Sequence, residues 1–507
     1  MRTNINFTFY QSIVLSSALL IPCGKAYSKT EKPNIIFIIA DDLGYGDISA
    51  FNENSKIRTE NIDKLCENGI KFTDAHSSSS VSTPSRYGIL TGRYAFRTHL
   101  KSEVLSGFSP PLIDVDRNTM GTMLSKQGYH TACIGKWHLG WDWAFDENKE
   151  VDFSKPIKNG PTTRGFDYFY GIAASLDMSP YVYVENNRVT ALPDRIARKY
   201  DGILLQRKGP QGADFEHIDC LPNFSKRALD YIAAQSDADA PFFLYLPLTA
   251  PHTPILPTKE FQGKSGLSPY GDFVLMIDNL VGEIVSVLKK KGQLDNTIIV
   301  FTSDNGCAPY ADIKGMEKAG HFPNYIYRGA KADLYDGGHR LPLVMSWGNK
   351  FYKREVSDLF SLTDFYATFA EITGYKLKDN EAEDSFSIWK FLEGKGKFKR
   401  KDLVHHSVDG SFSIRTPEWK LLFCPHSGGW SYPRKNEENI SRFPPHQLYN
   451  MTTDVIEQQN IEDQHPDLIK KYSRIMRKYI LNGRSTPGKK QSNETKGEWD
   501  QIKLFMK

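Results

Sequence analysis

The chain has 507 residues, with 64 basic and 60 acidic side chains and a formal net charge of +4 at pH 7. The length exceeds what one simple core needs, and the near-balance of charge gives no footing to a nucleic-acid or membrane-surface partner. Hydrophobic residues make up 40% and charged residues 24%, an ordinary composition for a soluble globular chain.

The first residues differ from the rest. Ser12 to Pro22 is an apolar run too short to span a bilayer. Ala26-Tyr27-Ser28 then sets small residues at the −3 and −1 positions of a cleavage site, so residues 1–28 read as a secretory signal peptide. Export across an inner membrane to the periplasm is the expectation. Leu20-Ile21-Pro22-Cys23 resembles a lipobox, with Pro22 unfavourable before the cysteine, and lipid anchoring at Cys23 is the alternative. No later segment is apolar and long enough to be transmembrane. The six cysteines (Cys23, Cys66, Cys133, Cys220, Cys307 and Cys424) include no CxxC pair, which argues against a zinc–cysteine site or a disulfide scaffold. One or two disulfides are left open.

Asn34 to Ile39 is continuously apolar and ends at Ala40. Such a run suits a central parallel strand buried on both faces. Asp41 and Asp42 follow at once. Ligands of open α/β sheets gather at the carboxyl ends of strands, and adjacent carboxylates there repel unless a cation or hydrogen bonds offset them. A solvated strand-end turn explains the pair equally well. Asn61 to Gly69 reads as a helix. The stretch Ser82 to Arg93 is STPSRYGILTGR. Pro84 suits the first turn of a helix, so Ser82 falls at or just before a helix N-terminus, where backbone N–H groups favour an anion. Arg86 adds a positive fork one turn on. The plain alternative is an N-cap serine.

Met120 to Gln127 reads as a short helix and His130 to Gly135 as a strand, which delivers Lys136-Trp137-His138. On an extended backbone Lys136 and His138 point to one side. Residues 141–240 read as irregular insertions shaping a pocket, with Asp177 facing it. Phe242 to Leu246 is another apolar strand, leading to Ala250-Pro251-His252-Thr253-Pro254, where flanking prolines fix the backbone around His252. Val274 to Leu288 recurs at helical spacing. Thr297 to Phe301 is a further buried strand and ends in Ser303-Asp304-Asn305-Gly306. Asp41, Asp42, Asp304 and Asn305 form an oxygen-rich set that suits Ca²⁺ or Mg²⁺ rather than zinc. Lys331 lies in Arg328-Gly329-Ala330-Lys331, and Asp336-Gly337-Gly338-His339-Arg340 precedes a strand at Leu341 to Trp347. Ser361 to Gly374 reads as a helix. Glu393 to Arg400 is a basic linker, beyond which Phe412 to Phe423 reads as a strand pair and Pro466 to Leu481 as a closing amphipathic helix. His405, His406 and Ser427 to Trp430 are further candidates for the pocket rim.

In this order the motifs resemble those of the type I sulfatases of the alkaline phosphatase superfamily. The signature there is Cys or Ser, x, Pro, Ser or Ala, Arg, three variable residues, Leu or Met, Thr, Gly, Arg, and residues 82–93 match every fixed position. The resemblance covers about residues 33–465. It implies an α/β fold with a large mixed sheet between helices and a small C-terminal antiparallel sheet, divided here as a catalytic domain over 29–398 and a subdomain over 399–507. It implies that Ser82 becomes formylglycine through an anaerobic radical-SAM maturase, since the residue is serine. One divalent cation, commonly calcium, with magnesium the alternative, is implied on Asp41, Asp42, Asp304 and Asn305, with residue 82, the converted Ser82, as a further ligand. Arg86, Lys136 and Lys331 would cradle sulfate, His138 would contact the formylglycine hydrate, and His252 would serve the leaving group. Asp336 replaces the more usual Glu. Asp177, His339 and Arg340 are the candidates for sugar recognition. The expected activity is hydrolysis of sulfate esters on a sulfated glycan, leaning to galactose or N-acetylgalactosamine sulfated at O6. Two other readings are a phosphomonoester or phosphonate hydrolase of the same fold and a catalytically silent sulfated-glycan-binding protein.

Overall fold

The computed structural model describes residues 32–348, 350–494 and 499–506. The expected signal peptide and Cys23 lie outside those residues. Pro33 to Lys507 forms one compact unit. Its main sheet is built from β1 (Asn34–Ala40), β2 (Gly69–His76), β3 (His130–Lys136), β4 (Tyr168–Ile172), β5 (Val184–Glu185) and β6 (Arg188–Val189). A separate hairpin, β7 (Pro193–Ala197) with β8 (Gly209–Gly212), interrupts the series before β9 (Phe242–Pro247), β10 (Thr297–Ser303), β11 (Arg340–Trp347), β12 (Arg354–Val356) and β13 (Phe360–Ser361) complete it. The strand order is β12-β2-β11-β10-β1-β9-β3-β4-β5-β6, with β13 also on β2. β10, β1, β9, β3 and β4 are parallel neighbours, and β11 runs antiparallel between β10 and β2. The sheet is therefore mixed.

Alternation along β1 shows why the fold is a sandwich. Ile35, Phe37 and Ile39 enter one core and Ile36, Ile38 and Ala40 the other. The first core takes α2 (Ser82–Thr91), α3 (Met120–Lys126) and the helix Asp364–Thr373; the second takes α1 (Glu60–Glu67), α4 (Cys220–Gln235) and α5 (Pro269–Lys290). A strand with no polar face has to be covered on both sides. Gly135 is needed within β3: its φ is +132°, and a Cβ there would lie 1.9 Å from the Pro247 carbonyl oxygen.

The small sheet is antiparallel: β14 (Leu403–His406), β15 (Phe412–Arg415), β16 (Trp419–Leu422) and β17 (Gln447–Asn450). The helix Pro466–Asn482 covers it through Tyr472, Met476 and Ile480. Residues 141–240 are more ordered than the sequence suggests, holding five strands and the sixteen-residue α4. Cys66, Cys133, Cys220, Cys307 and Cys424 are buried free thiols, so the described residues contain no disulfide. Among them no helix is long and apolar enough to cross a membrane.

Candidate active site

The parallel register fixes the site. Ala40 pairs with Ser303, so Asp41-Asp42 and Asp304-Asn305 leave two adjacent strands at one level. Lys136 ends β3 and His252 follows β9, on the same edge of the sheet. Ser82 arrives from the end of β2 as the first residue of α2. The turn before it is held by the small sheet and by the Lys331 loop: Ser79 Oγ donates to the His406 carbonyl at 2.5 Å, and Ala332 N donates to that of Ser80 at 2.8 Å.

Lys136 Nζ donates to Ser82 Oγ at 3.1 Å and to Asp41 Oδ2 at 2.7 Å. Ser82 Oγ lies 3.5 Å from Asp41 Oδ1. Arg86 grips Asp304 Oδ2 through Nε and Nη2 at 2.9 and 2.7 Å. Its Nη1 donates to the Lys136 carbonyl at 3.1 Å. Lys331 Nζ donates to Asp42 Oδ2 at 2.8 Å. His252 Nε2 is 3.6 Å from Asp42 Oδ2, and its Nδ1 faces the Thr253 carbonyl at 2.6 Å. Nδ1 therefore carries the hydrogen and leaves Nε2 to exchange a proton. By the same argument His138 donates from Nε2 to the Leu105 carbonyl at 2.7 Å, and its bare Nδ1 is buried without a partner.

Burial and charge set the titration here. Burial alone would raise the Asp41 carboxyl, but Lys136, His252 and Arg86 outweigh it and hold it below the ordinary range. Asp42 is lowered against its own burial by Lys331 and His252. Burial lowers Lys136 despite Asp41, whereas Asp42 and Asp41 outweigh burial at Lys331 and raise it. His138 is pushed well below its usual value by burial and by Lys136, so it is neutral near pH 7. Three non-glycine residues take positive φ in this region, Asp42 at +66°, His138 at +54° and Ala332, beside Lys331, at +82°. Such conformations cost about 1–3 kcal/mol each and cluster at functional sites. The turn at His138 also departs from the sequence reading: the extended backbone stops at Lys136, so strand alternation does not set the direction of His138.

The donor set fits a hard divalent cation. Three carboxylates converge, and the Asn305 Oδ1 atom is buried with no hydrogen-bond partner while its Nδ2 donates to Asp42 Oδ1 at 2.7 Å. An amide oxygen with no protein partner among carboxylates fits the oxygen donor set of such a cation.

The structure brings together Ser82, Arg86, Lys136, His138, His252, Lys331, Asp41, Asp42, Asp304 and Asn305. Asp177 joins their edge, its Oδ1 3.9 Å from His252 Nδ1 and unpartnered by hydrogen bonds, its Oδ2 held by Arg207 Nη1 at 2.7 Å. His339 and Arg340 lie elsewhere. His339 is fully buried against His76 and His405, and Arg340 pairs with Asp74 at 3.2 Å and Asp336 at 3.4 Å. His405 and His406 are also buried. Sequence reasoning missed Arg207, which has no motif around it. It also missed the support under Asp42, whose carbonyl accepts from Tyr270 Oη at 3.1 Å, with Tyr270 and His321 both on Asp47.

A mixed sheet whose strand ends gather carboxylates, lysines and an N-terminal helix serine defines a hydrolase of anionic esters with the alkaline-phosphatase-like fold. The Sulfatase family profile matches residues 33–375. The N-acetylgalactosamine-6-O-sulfatase of Bacteroides thetaiotaomicron is 34% identical over 501 residues, covering 90% of this chain and 96% of the relative. Human arylsulfatase A is 30% identical, covering 88% of this chain and 86% of its own. A solved Bacteroides thetaiotaomicron protein, described with that bacterium's metabolism of multiple glycosaminoglycans, superposes with a TM-score of 0.77 at 31% identity over 89% of this chain and 99% of its own. The chain belongs to the sulfatase family and is a sulfuric ester hydrolase. Membership implies a divalent metal and a formylglycine nucleophile.

Proposed function

We propose that this sulfatase removes 6-O-sulfate from galactose or N-acetylgalactosamine units of a sulfated glycan, with Ser82 as the formylglycine precursor and Ca²⁺ as the cation. The observation that carries the reading is Ser82 at the N-terminus of α2, 3.1 Å from Lys136 Nζ and facing the Asp41 carboxylate. The names of the bacterial relative and of its mouse counterpart, 27% identical, support the sugar and the position. The catalytic domain spans 29–398 and the C-terminal subdomain 399–507. Ser82 is converted by an anaerobic radical-SAM maturase, and the mature protein acts in the periplasm.

When present, the hydrated formylglycine supplies a nucleophilic oxygen and a second hydroxyl that later releases sulfate, and the cation held by Asp41, Asp42, Asp304 and Asn305 supplies charge. Lys136, Lys331 and Arg86 carry fixed positive charge to where negative charge builds up; a single preorganised donor of this kind is worth roughly 2.7–4 kcal/mol. Neutral His138 offers a bare Nδ1 that can accept a hydrogen bond from the nucleophile. His252 holds its Nδ1 hydrogen on Thr253 and delivers a proton from Nε2 to the leaving sugar oxygen. Asp177, fixed by Arg207, accepts hydrogen bonds from the sugar hydroxyls.

The test is sulfate release from a panel of defined sulfated mono- and disaccharides, using protein co-expressed with the maturase. Release from 6-sulfated galactose-type sugars is expected, and a chelator and Ser82→Ala should each abolish it. Release from another regioisomer replaces the substrate assignment. Full activity of Ser82→Ala overturns the nucleophile.

A further inference from the structure

Residues 188–208 carry six basic side chains, Arg188, Arg195, Arg198, Lys199, Arg207 and Lys208, against Asp194 and Asp201. Their excess of four positive charges equals the net +4 of the whole chain. All of these side chains but Arg188, which lies in β6, belong to the β7–β8 hairpin and its connecting loop. Part of this charge is neutralised: Arg195 pairs with Asp194 and Glu216 at 2.8 and 2.7 Å, and Lys199 with Asp201 at 3.4 Å. Arg198 and Lys208 are exposed and have no carboxylate partner among the described residues. Beside them the hairpin exposes Tyr200, with 47% of its surface accessible, and Ile196.

These side chains border a cavity of about 590 Å³ lined by Arg195, Arg198, Tyr200, Gln206, His217 and Pro254, among others. His217 is buried and its Nε2 has no hydrogen-bond partner. The cavity shares Leu204, Ile218 and Leu256 with a second one of about 580 Å³, so the two form a continuous groove. It starts beside the catalytic edge. Gln206 precedes Arg207, which holds Asp177, and Pro254 lies two residues past His252. His217 packs 4.5 Å from Tyr181, whose hydroxyl donates to the Asp177 and Arg207 carbonyls.

We propose that this groove is a second glycan subsite, holding an anionic sugar next to the one whose ester is cleaved. The inference rests on the reading of the Ser82 site as a glycan sulfatase. A guanidinium fork matches the planar or trigonal oxygens of carboxylate and sulfate. Tyr200 and the aliphatic wall offer an apolar face to a sugar ring. The shared chemistry is an anion on a pyranose, as a uronate carboxylate or as a second sulfate.

The experiment compares kcat/KM for a 6-sulfated monosaccharide with that for three disaccharides carrying the same sulfated unit, whose neighbouring sugar is neutral, a uronate, or sulfated. The wild type is expected to prefer one or both anionic disaccharides, and the preference should shrink as salt rises. Arg198→Ala and Tyr200→Ala should lower kcat/KM on the preferred disaccharide by about tenfold, the scale of one charge-assisted hydrogen bond, and leave the monosaccharide rate in place. Which anionic disaccharide responds names the anion. Equal losses on all four substrates, or none, would overturn the subsite. Calorimetric binding of the same disaccharides to the Ser82→Ala protein reads the subsite without turnover. If the wild type releases no sulfate yet Arg198→Ala still weakens binding of the anionic disaccharide alone, the activity assignment fails and the subsite stands.

Discussion

Two buried charge clusters sit on the same edge of the main sheet, and in their pairing they look alike. Around Ser82, Asp41, Asp42 and Asp304 each have a cation within 2.7 Å, in Lys136, Lys331 and Arg86. In the second cluster Lys420 bridges Asp336 and Glu457, each at 2.7 Å, and Arg415 reaches Asp74 at 3.2 Å. Side chains from β2, β11, β14, β15 and β16 meet there, so the second cluster joins the main sheet to the small one. It also brings His76, His339 and His405 close together. Those imidazoles do not converge on an ion: the His339 and His405 rings stack at 3.5 Å and 18°, so their in-plane lone pairs lie in near-parallel planes. His339 Nε2 is engaged by the Leu334 carbonyl at 2.9 Å, with the Lys420 ammonium 3.3 Å away. Both clusters contain non-glycine residues at positive φ, Asp42, His138 and Ala332 in the first and Glu457 at +55° in the second, but only the first sets an unpartnered amide oxygen, Asn305 Oδ1, among carboxylates at the ends of parallel strands. Neither paired charge nor positive φ alone identifies an active site; an orphaned amide oxygen among carboxylates at parallel strand ends does.

The comparison breaks if damage to either cluster has the same consequence. The largest expected effect is on chemistry. His252→Ala should slow hydrolysis of a sugar sulfate by about 10²–10⁴-fold, the usual range for acid–base help, and slow an aryl sulfate with a good leaving group far less, because that oxygen needs no proton. Equal losses on both substrates would remove the general-acid role. In the second cluster the effect should fall on stability. Lys420→Met takes the only close cation from Glu457 and leaves Asp336 with Arg340 alone, at 3.4 Å, and breaking a buried pair in this way costs about 3–5 kcal/mol. The urea midpoint should drop while the folded fraction keeps its kcat. Adding Asp336→Asn and Glu457→Gln should recover part of the loss, since neutral replacement of a buried pair is far cheaper than halving it. A Lys420→Met protein of normal stability and low kcat would place the second cluster in the chemistry.

Much of this was legible in the sequence. The Asn34–Ala40 run and the strand before Asp304 read correctly because a buried parallel strand leaves a nearly unbroken apolar signal, whereas the strand entering Lys136, with His130 and Thr131 in it, was legible beside the recognisable Gly135 to His138 string. The residues around Ser82 could be named because each follows such a strand or lies in a recognisable string. His339 and Arg340 read as pocket residues because they follow a glycine pair near Lys331. What the sequence did not carry is that β11 starts there and turns both side chains toward β2 and the small sheet. Arg207 and Glu457 were invisible for a related reason. Each acts on a partner distant in sequence, Arg207 on Asp177 and Glu457 on Lys420, and neither sits in a pattern of its own. The hairpin of residues 193–212 was missed because β8 is Gly-Pro-Gln-Gly, which carries none of the usual strand composition.

The smallest effect separates the clusters by pH. His405 donates from Nδ1 to the Ser77 carbonyl at 3.1 Å, and its Nε2 is buried without a partner. Burial, with His339, His76 and Lys420 around it and only Asp336 opposing, pushes its pKa well below the ordinary 6.5. Above pH 6.5 the imidazole is neutral in the folded and unfolded chains alike and contributes no pH dependence. Below it the unfolded chain takes up a proton that the folded chain refuses, so stability falls by about 1.4 kcal/mol per pH unit for this one group. His339 and His76, also lowered by burial, act in the same sense, and Glu457, raised by burial, acts in the opposite one. The total slope is therefore a sum, and the variant isolates one member of it. His405→Gln keeps an amide donor for Ser77 and cannot titrate. Unfolding measured at pH 7, 6 and 5 should show a slope in the variant shallower by about one proton than in the wild type. An unchanged slope would mean that His405 protonates in the folded state, with water reaching the interface between the two sheets.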